Sequence, residues 1–205
     1  MAESPAARHM MVMPHIHSVA VFCGSRTGND PRYREAAQTL GRGLAEAGIK
    51  LVYGGGGIGL MKVVADAILA AGGSVHGVIP EFLTRREVAH PNLGQLDVTD
   101  SMHSRKQRMF ELADAFISMP GGMGTLDETI EILTWRQLDL HDKPVLICNV
   151  AGSAKPLVAA IEAAVAAGFA GSDVYELYQV FDEVPAMIAH LTRMHRVPQS
   201  EAARL

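Results

Sequence analysis

Residues 115–119 (Ala-Phe-Ile-Ser-Met) form an apolar run that stops at Pro120-Gly121-Gly122, and a helical pattern resumes by Thr125. A strand that breaks into a glycine turn and restarts as a helix leaves several backbone N–H groups unpaired and aimed at one point. Such a point attracts phosphate. The carboxylate of Glu128 follows one turn later, placed to act on whatever carries that phosphate.

The same strand–turn–helix rhythm runs through the chain. Residues 18–23 read as a buried strand, and Asp30-Pro31 then supplies an N-cap and a proline at the first helical position. Tyr33, Ala36, Ala37, Leu40 and Leu44 share one face of the helix that follows. Strands are expected at 49–53, 74–79, 115–119 and 144–150, with a short one ending at Val180-Phe181. Helices are expected from 59 to about 71, over 101–113, 125–138 and 156–167, and from Asp182 to about 192. Residues 81–95 give no defined element. Strands that are apolar throughout and alternate with helices predict an α/β, Rossmann-like fold: a parallel sheet with helices on both faces. Ligands of such sheets sit beyond the carboxyl ends of the strands. Three loops fall there: Cys23-Gly24-Ser25, the glycine turn at 54–59, and 120–125.

At 205 residues the chain is read as one domain over 18–193, preceded by a disordered leader (1–17) and followed by a polar tail (194–205). Its net charge of −4, without a basic stripe, argues against a nucleic-acid polymer as partner. No apolar run approaches the roughly 18 residues needed to cross a bilayer. Cys23 and Cys148 cannot build a disulfide framework and suit a reducing cytoplasm. His15 and His17 read as part of a solvated tail more readily than as metal ligands, and no metal is expected.

Gly54-Gly55-Gly56-Gly57-Ile58-Gly59 satisfies G-x-G-x-x-G, with Glu81 near the position of a ribose-binding acid. A dinucleotide is therefore one reading. Against it, this turn follows the second strand rather than the first, and a second glycine turn would lack a role. Glycines that let strand and helix pack closely are the plainer alternative. Thr125-Leu126-Asp127-Glu128 also matches a capping box, so Glu128 has a purely local reading: reaching back to the Thr125 N–H. Met102, Arg105, Met109 and Leu112 lie on one helical stripe. An arginine there either meets an anion or extends past the edge of the apolar surface, and Lys106 sits on the adjacent face. His103 and His141, flanked by polar residues, read as surface or supporting groups. Cys23 reads as a small buried hydrophobe.

Taken together, these segments resemble the LOG (Lonely Guy) family of cytokinin riboside 5′-monophosphate phosphoribohydrolases. The resemblance spans about residues 19–191. It rests on Val21-Phe22-Cys23-Gly24-Ser25, Leu51-Val52-Tyr53-Gly54-Gly55-Gly56, Ile58-Gly59-Leu60-Met61, Gly77-Val78-Ile79-Pro80, Met102-His103 with Arg105-Lys106, Pro120-Gly121-Gly122 with Gly124-Thr125 and Glu128, and His141-Asp142-Lys143-Pro144-Val145. It implies hydrolysis of the N-glycosidic bond of an N6-substituted adenosine 5′-monophosphate, with Arg105 and Glu128 catalytic. Substrate contacts are implied at Ser25, Gly55, Glu87, Met102, Lys106, Gly121, Gly122, Met123, Gly124, Thr125, Asp127 and Thr134. It further implies no redox cofactor and a homodimer, for which Trp135 and Leu138 are either interface anchors or core residues. Met123 stands where plant members usually carry Tyr, and Asp127 where many carry Glu; neither removes a catalytic group. Met102, Met109 and Met123 are apolar and adaptable enough to accept an isoprenoid tail. Relatives have often carried a lysine decarboxylase label, but no pyridoxal phosphate motif is visible here. A carrier or sensor that binds a nucleotide without reacting it is the alternative on the same fold.

Overall fold

A computed structural model describes residues 16–84 and 89–195. Seven parallel strands form one sheet in the order β4-β3-β2-β1-β5-β6-β7. They are β1 (Ser18–Phe22), β2 (Lys50–Tyr53), β3 (Val75–Pro80), β4 (Gln95–Thr99), β5 (Ala115–Ser118), β6 (Val145–Cys148) and β7 (Gln179–Phe181). The helices are α1 (Pro31–Glu46), α2 (Gly59–Ala70), α3 (Met102–Leu112), α4 (Met123–Gln137), α5 (Lys155–Ala166) and α6 (Val184–His195). No helix among the described residues is long and apolar enough to cross a membrane.

Alternation along the strands divides the core in two. Val19 and Val21 of β1 face one layer with Leu40 and Leu44 of α1, Val64 and Ile68 of α2, and Met187 and Leu191 of α6. Ala20 and Phe22 face the other, with Met109 of α3 and Ile132 and Leu133 of α4. Both faces are covered, which is why the central strands read as unbroken apolar runs. α5 buries none of its residues fully and rests on the second layer through Leu157, Val158 and Ile161.

β4 departs from expectation, because no strand was anticipated there. It pairs with β3 from His76–Gln95 to Pro80–Thr99 and closes one edge of the sheet. Leu96 and Val98 are exposed and alternate with polar Gln95, Asp97 and Thr99. An edge strand with little to bury leaves only a weak hydrophobic signal.

The order of strands locates the site. The chain builds β1 to β4 outward in one direction, then returns through α3 to place β5 on the other side of β1. The crevice at this reversal lies beyond the ends of β1 and β5, where Gly24 N–H donates to Pro120 O at 3.0 Å and ties the two loops together. Because α3 starts where β4 ends, and α4 where β5 ends, both helices begin on this same rim.

Candidate active site

α3 begins at a reciprocal cap. Ser101 Oγ accepts from Ser104 N–H at 3.1 Å, and Ser104 Oγ accepts from Ser101 N–H at 3.2 Å. This fixes the first turn and directs Arg105 inward. Its guanidinium is buried: Nε donates to Val78 O at 3.2 Å, and Nη1 lies 3.5 Å from Glu128 Oε1 and 3.8 Å from Met102 Sδ. The reading in which Arg105 extends past the edge is thereby corrected. The room comes from Gly54, where a Cβ would overlap the guanidinium.

That overlap also disposes of the dinucleotide reading of the 54–59 turn. A glycine filled by an arginine offers no close approach to a pyrophosphate. The turn follows β2 rather than β1, and Glu81 is exposed in a 3-10 turn, Glu81–Leu83. At Gly59, φ is +59° and a Cβ would collide with the backbone of Ser25 and Arg26. These glycines serve close packing.

α4 starts two residues earlier than expected, with Gly122 as an N-cap lacking any side-chain bond. Thr125 therefore lies inside the first turn and Glu128 a turn further on, too far along to close the capping box with it. Glu128 is instead buried beside Arg105. The first i→i−4 bond runs from Leu126 N–H to Gly122 O at 3.1 Å. Among the described residues, the N–H groups of Met123, Gly124 and Thr125 have no hydrogen-bond acceptor, and the helix dipole is positive at that end.

What holds this bare helix start is buried. Thr129 Oγ1 donates to Thr125 O at 2.6 Å, leaving Ser118 Oγ of β5 to donate to Thr129 Oγ1 at 2.7 Å. Thr129→Val should cost about 1–2 kcal/mol, because it strands the Ser118 hydroxyl. Chemical denaturation measures this, and a midpoint equal to that of the parent would contradict the role.

A cavity of about 140 Å³ opens at this junction, lined among others by Cys23, Ser25, Gly54, Met61, Arg105, Met109, Met123, Thr125 and Glu128. A crevice of about 670 Å³ adjoins it through Gly24, Ser25 and Gly122 and extends to Arg26, Gly121 and Ser153. Of the expected site residues, Ser25, Arg105, Gly122, Met123, Gly124, Thr125 and Glu128 converge on the smaller cavity. Met102 touches Arg105 from behind, Gly121 lines the crevice, and Gly55 packs against Ile79 and Leu96 next to Gly54. Glu87 lies outside the described residues.

Three others stand off the cavity. Lys106 Nζ binds Glu131 Oε1 at 2.9 Å and Asp127 Oδ2 at 3.2 Å. Partial burial opposes its charge, but these two carboxylates outweigh that effect and hold its pKa above the ordinary lysine value. Thr134 is exposed and donates to Ile130 O at 2.8 Å. All three sit along the outer side of α3 and α4, where Met123 is 82% exposed.

His103 is exposed, as expected. His141 is not a surface group: its Nε2–H donates to Ile132 O at 3.0 Å, its ring packs against Phe110 and Phe116, and burial lowers its pKa. His17 is exposed, and His15 lies outside the described residues. Among the described residues, no three His, Cys, Asp or Glu side chains are grouped to hold a metal. Gly54 belongs to one of the three loops expected beyond the strand ends, whereas Met61 was not anticipated as a wall of the site.

Residues 61–191 match the family described as "Possible lysine decarboxylase". The chain is 37% identical to a probable cytokinin riboside 5′-monophosphate phosphoribohydrolase, LOGL1, of Oryza sativa subsp. japonica, across all of this chain and 92% of that protein. It is 46% identical to the cytokinin riboside 5′-monophosphate phosphoribohydrolase of Rhodococcoides fascians over 76% of this chain and 79% of that protein. For LOG1 of Arabidopsis thaliana the identity is also 46%, over 74% and 71%. Among solved structures, the molybdenum cofactor carrier protein of Chlamydomonas reinhardtii aligns with a TM-score of 0.65 at 20% identity, covering 86% of this chain and 96% of that one. The molybdenum cofactor binding protein of Rippkaea orientalis gives 0.66, also at 20% identity and with the same coverage. At such identities the likeness concerns the fold alone.

Proposed function

Because this chain belongs to the LOG family of cytokinin riboside 5′-monophosphate phosphoribohydrolases, we propose that it hydrolyses N6-substituted adenosine 5′-monophosphates to the free base and ribose 5-phosphate. The observation that carries the reading is the buried Arg105–Glu128 pair, set in a small cavity beside the bare first turn of α4. Breaking the bond between sugar C1′ and purine nitrogen builds positive charge on the ribose as the base leaves with the electron pair. The Glu128 carboxylate stabilises that charge. Water then supplies oxygen to C1′, and its protons balance the departing base and the product hydroxyl. The first-turn amides of α4 hold the 5′-phosphate, so that binding energy remote from the reaction positions the reacting carbon. Arg105 fixes Glu128 and faces the anionic substrate.

Incubation with isopentenyladenosine 5′-monophosphate and with AMP should release base and ribose 5-phosphate without a nicotinamide cofactor. Binding of both nucleotides with no base released from either would favour the carrier reading. A lysine decarboxylase activity finds no support in these residues.

A whole nucleotide exceeds 140 Å³, so part of it extends beyond the cavity, into the adjoining crevice or past the exposed Met123. Leu126 and Ile130 are also exposed on α4, and Leu138 is 63% exposed; Trp135 packs edge-on against Phe110 at 5.2 Å and is partly buried against the core. The proposal therefore includes a homodimer covering this stripe, with Lys106, Asp127 and Thr134 near the shared boundary. Sedimentation should give twice the chain mass, and Ile130→Glu should give monomers with a raised KM; a monomeric parent protein would overturn it. A cytoplasmic location, in keeping with two buried cysteines that form no disulfide, completes the proposal.

A further inference from the structure

His90 lies within the segment in which the sequence shows no regular element, yet its side chain is only 1% exposed. Asn92 N–H donates to Nδ1 at 3.3 Å, which leaves the proton on Nε2, and Nε2–H donates to Asp66 Oδ1 at 3.0 Å. Asp66, on α2, is itself bound by Lys62 Nζ at 2.5 Å. Partial burial opposes its ionisation, but the bonds from Lys62 and His90 outweigh that and hold its pKa below the ordinary value. The imidazole is thus locked at both nitrogens.

The lock has a consequence one step along the backbone. His90 N–H donates to Gly55 O at 3.0 Å, and Ala89 forms an antiparallel bridge with Gly56. The turn gripped in this way begins with Gly54, whose missing Cβ is the space occupied by the Arg105 guanidinium. A continuous series of contacts therefore runs from Asp66 and His90, which do not line the reacting cavity, through the Gly54–Gly55 backbone to Arg105, which does.

We infer that His90, oriented by Asp66, is a positioning residue for the reaction: by pinning the carbonyl of Gly55 it sets the wall that aims Arg105 at Glu128. This rests on the reading that Arg105 and Glu128 act on a nucleotide. A histidine serving packing alone would affect only the amount of folded protein. A positioning role affects the direction of the guanidinium, and misplacement by about 1 Å can cost about a hundredfold in rate.

The test compares His90→Ala, His90→Gln and Asp66→Ala with the parent protein. Steady-state hydrolysis of isopentenyladenosine 5′-monophosphate is measured together with water exchange of the Arg105 Nε–H by NMR, assigned with Arg105→Lys. The alanine variants should lose about ten- to a hundredfold in kcat with KM changed by less than about threefold. Their Arg105 Nε–H should exchange faster as its bond to Val78 O loosens. His90→Gln, which keeps a donor near the Nε2 position, should restore both. Parent-like kcat and exchange in folded variants would overturn the inference, as would a loss of activity that only tracks loss of folded protein. Should His90→Ala fail to fold, Asp66→Ala decides, because Asp66 is half-exposed. If the parent releases no base, the proposed function fails, while the NMR comparison still decides whether His90 positions Arg105.

Discussion

Glu128→Gln should lower kcat/KM by about two to three orders of magnitude, the range seen when a preorganised electrostatic group is removed from a developing charge. The substitution keeps the volume of the side chain and an oxygen facing Arg105, and removes only the negative charge. Because Arg105 keeps its bond to Val78 O and an amide oxygen to face, folding should lose no more than about 1 kcal/mol, a thermal midpoint within about 3 °C of the parent at about 2–4 °C per kcal/mol for a chain of this size. Functional carboxylates buried beside a cavity are commonly neutral or costly for stability. Product release followed by chromatography, alongside a thermal melt, checks both halves. Activity within about tenfold of the parent, less than about 1.4 kcal/mol of barrier, would remove Glu128 from the chemistry.

Arg105→Ala should produce a comparable loss of turnover and, unlike Glu128→Gln, a clear loss of stability. It leaves the Val78 carbonyl without its donor at 3.2 Å and the buried Glu128 without the cation 3.5 Å away. Removing one partner of a buried pair costs about 3 kcal/mol or more, and the open side of the cavity lowers that to about 2 kcal/mol. The midpoint should fall by about 4–8 °C. Arg105→Lys should not rescue activity, because one ammonium cannot reach Val78 O and Glu128 in the directions that Nε and Nη1 occupy. A double variant, Arg105→Ala with Glu128→Gln, should be more stable than Arg105→Ala alone, since the stranded charge is gone. Full activity in either single variant would end the assignment of this pair.

Much of this architecture could be read in the residues themselves. β1 is buried at every position, and such strands announce themselves as continuous apolar runs. Asp30 and Pro31 start α1 as their types require, with Asp30 accepting from Arg32 N–H. The inward turn of Arg105 was one of two readings open on its stripe of methionines and leucine, and burial decided it. What escaped was decided by partners distant in the chain. β4 is held by backbone pairing to β3 with little buried surface, so composition could not betray it. Lys106 has the sequence neighbours of a phosphate ligand, yet its charge is met by Asp127 and Glu131 from the next helix. The start of α4 moved from Thr125 to Met123 because its anchor is Ser118 acting through Thr129, a connection that no local cap rule contains.

That anchor has an implication for how chains of this kind diversify. The opening turn of α4 takes its shape from hydroxyls on the side facing the sheet, and the outward side chain of Met123 takes no part in holding it. Position 123 can therefore exchange one large side chain for another, as Met for Tyr, while the amides behind it keep their aim. On the proposed reading, preference for the purine's substituent is free to drift between lineages while the first-turn amides keep their hold on its anionic end.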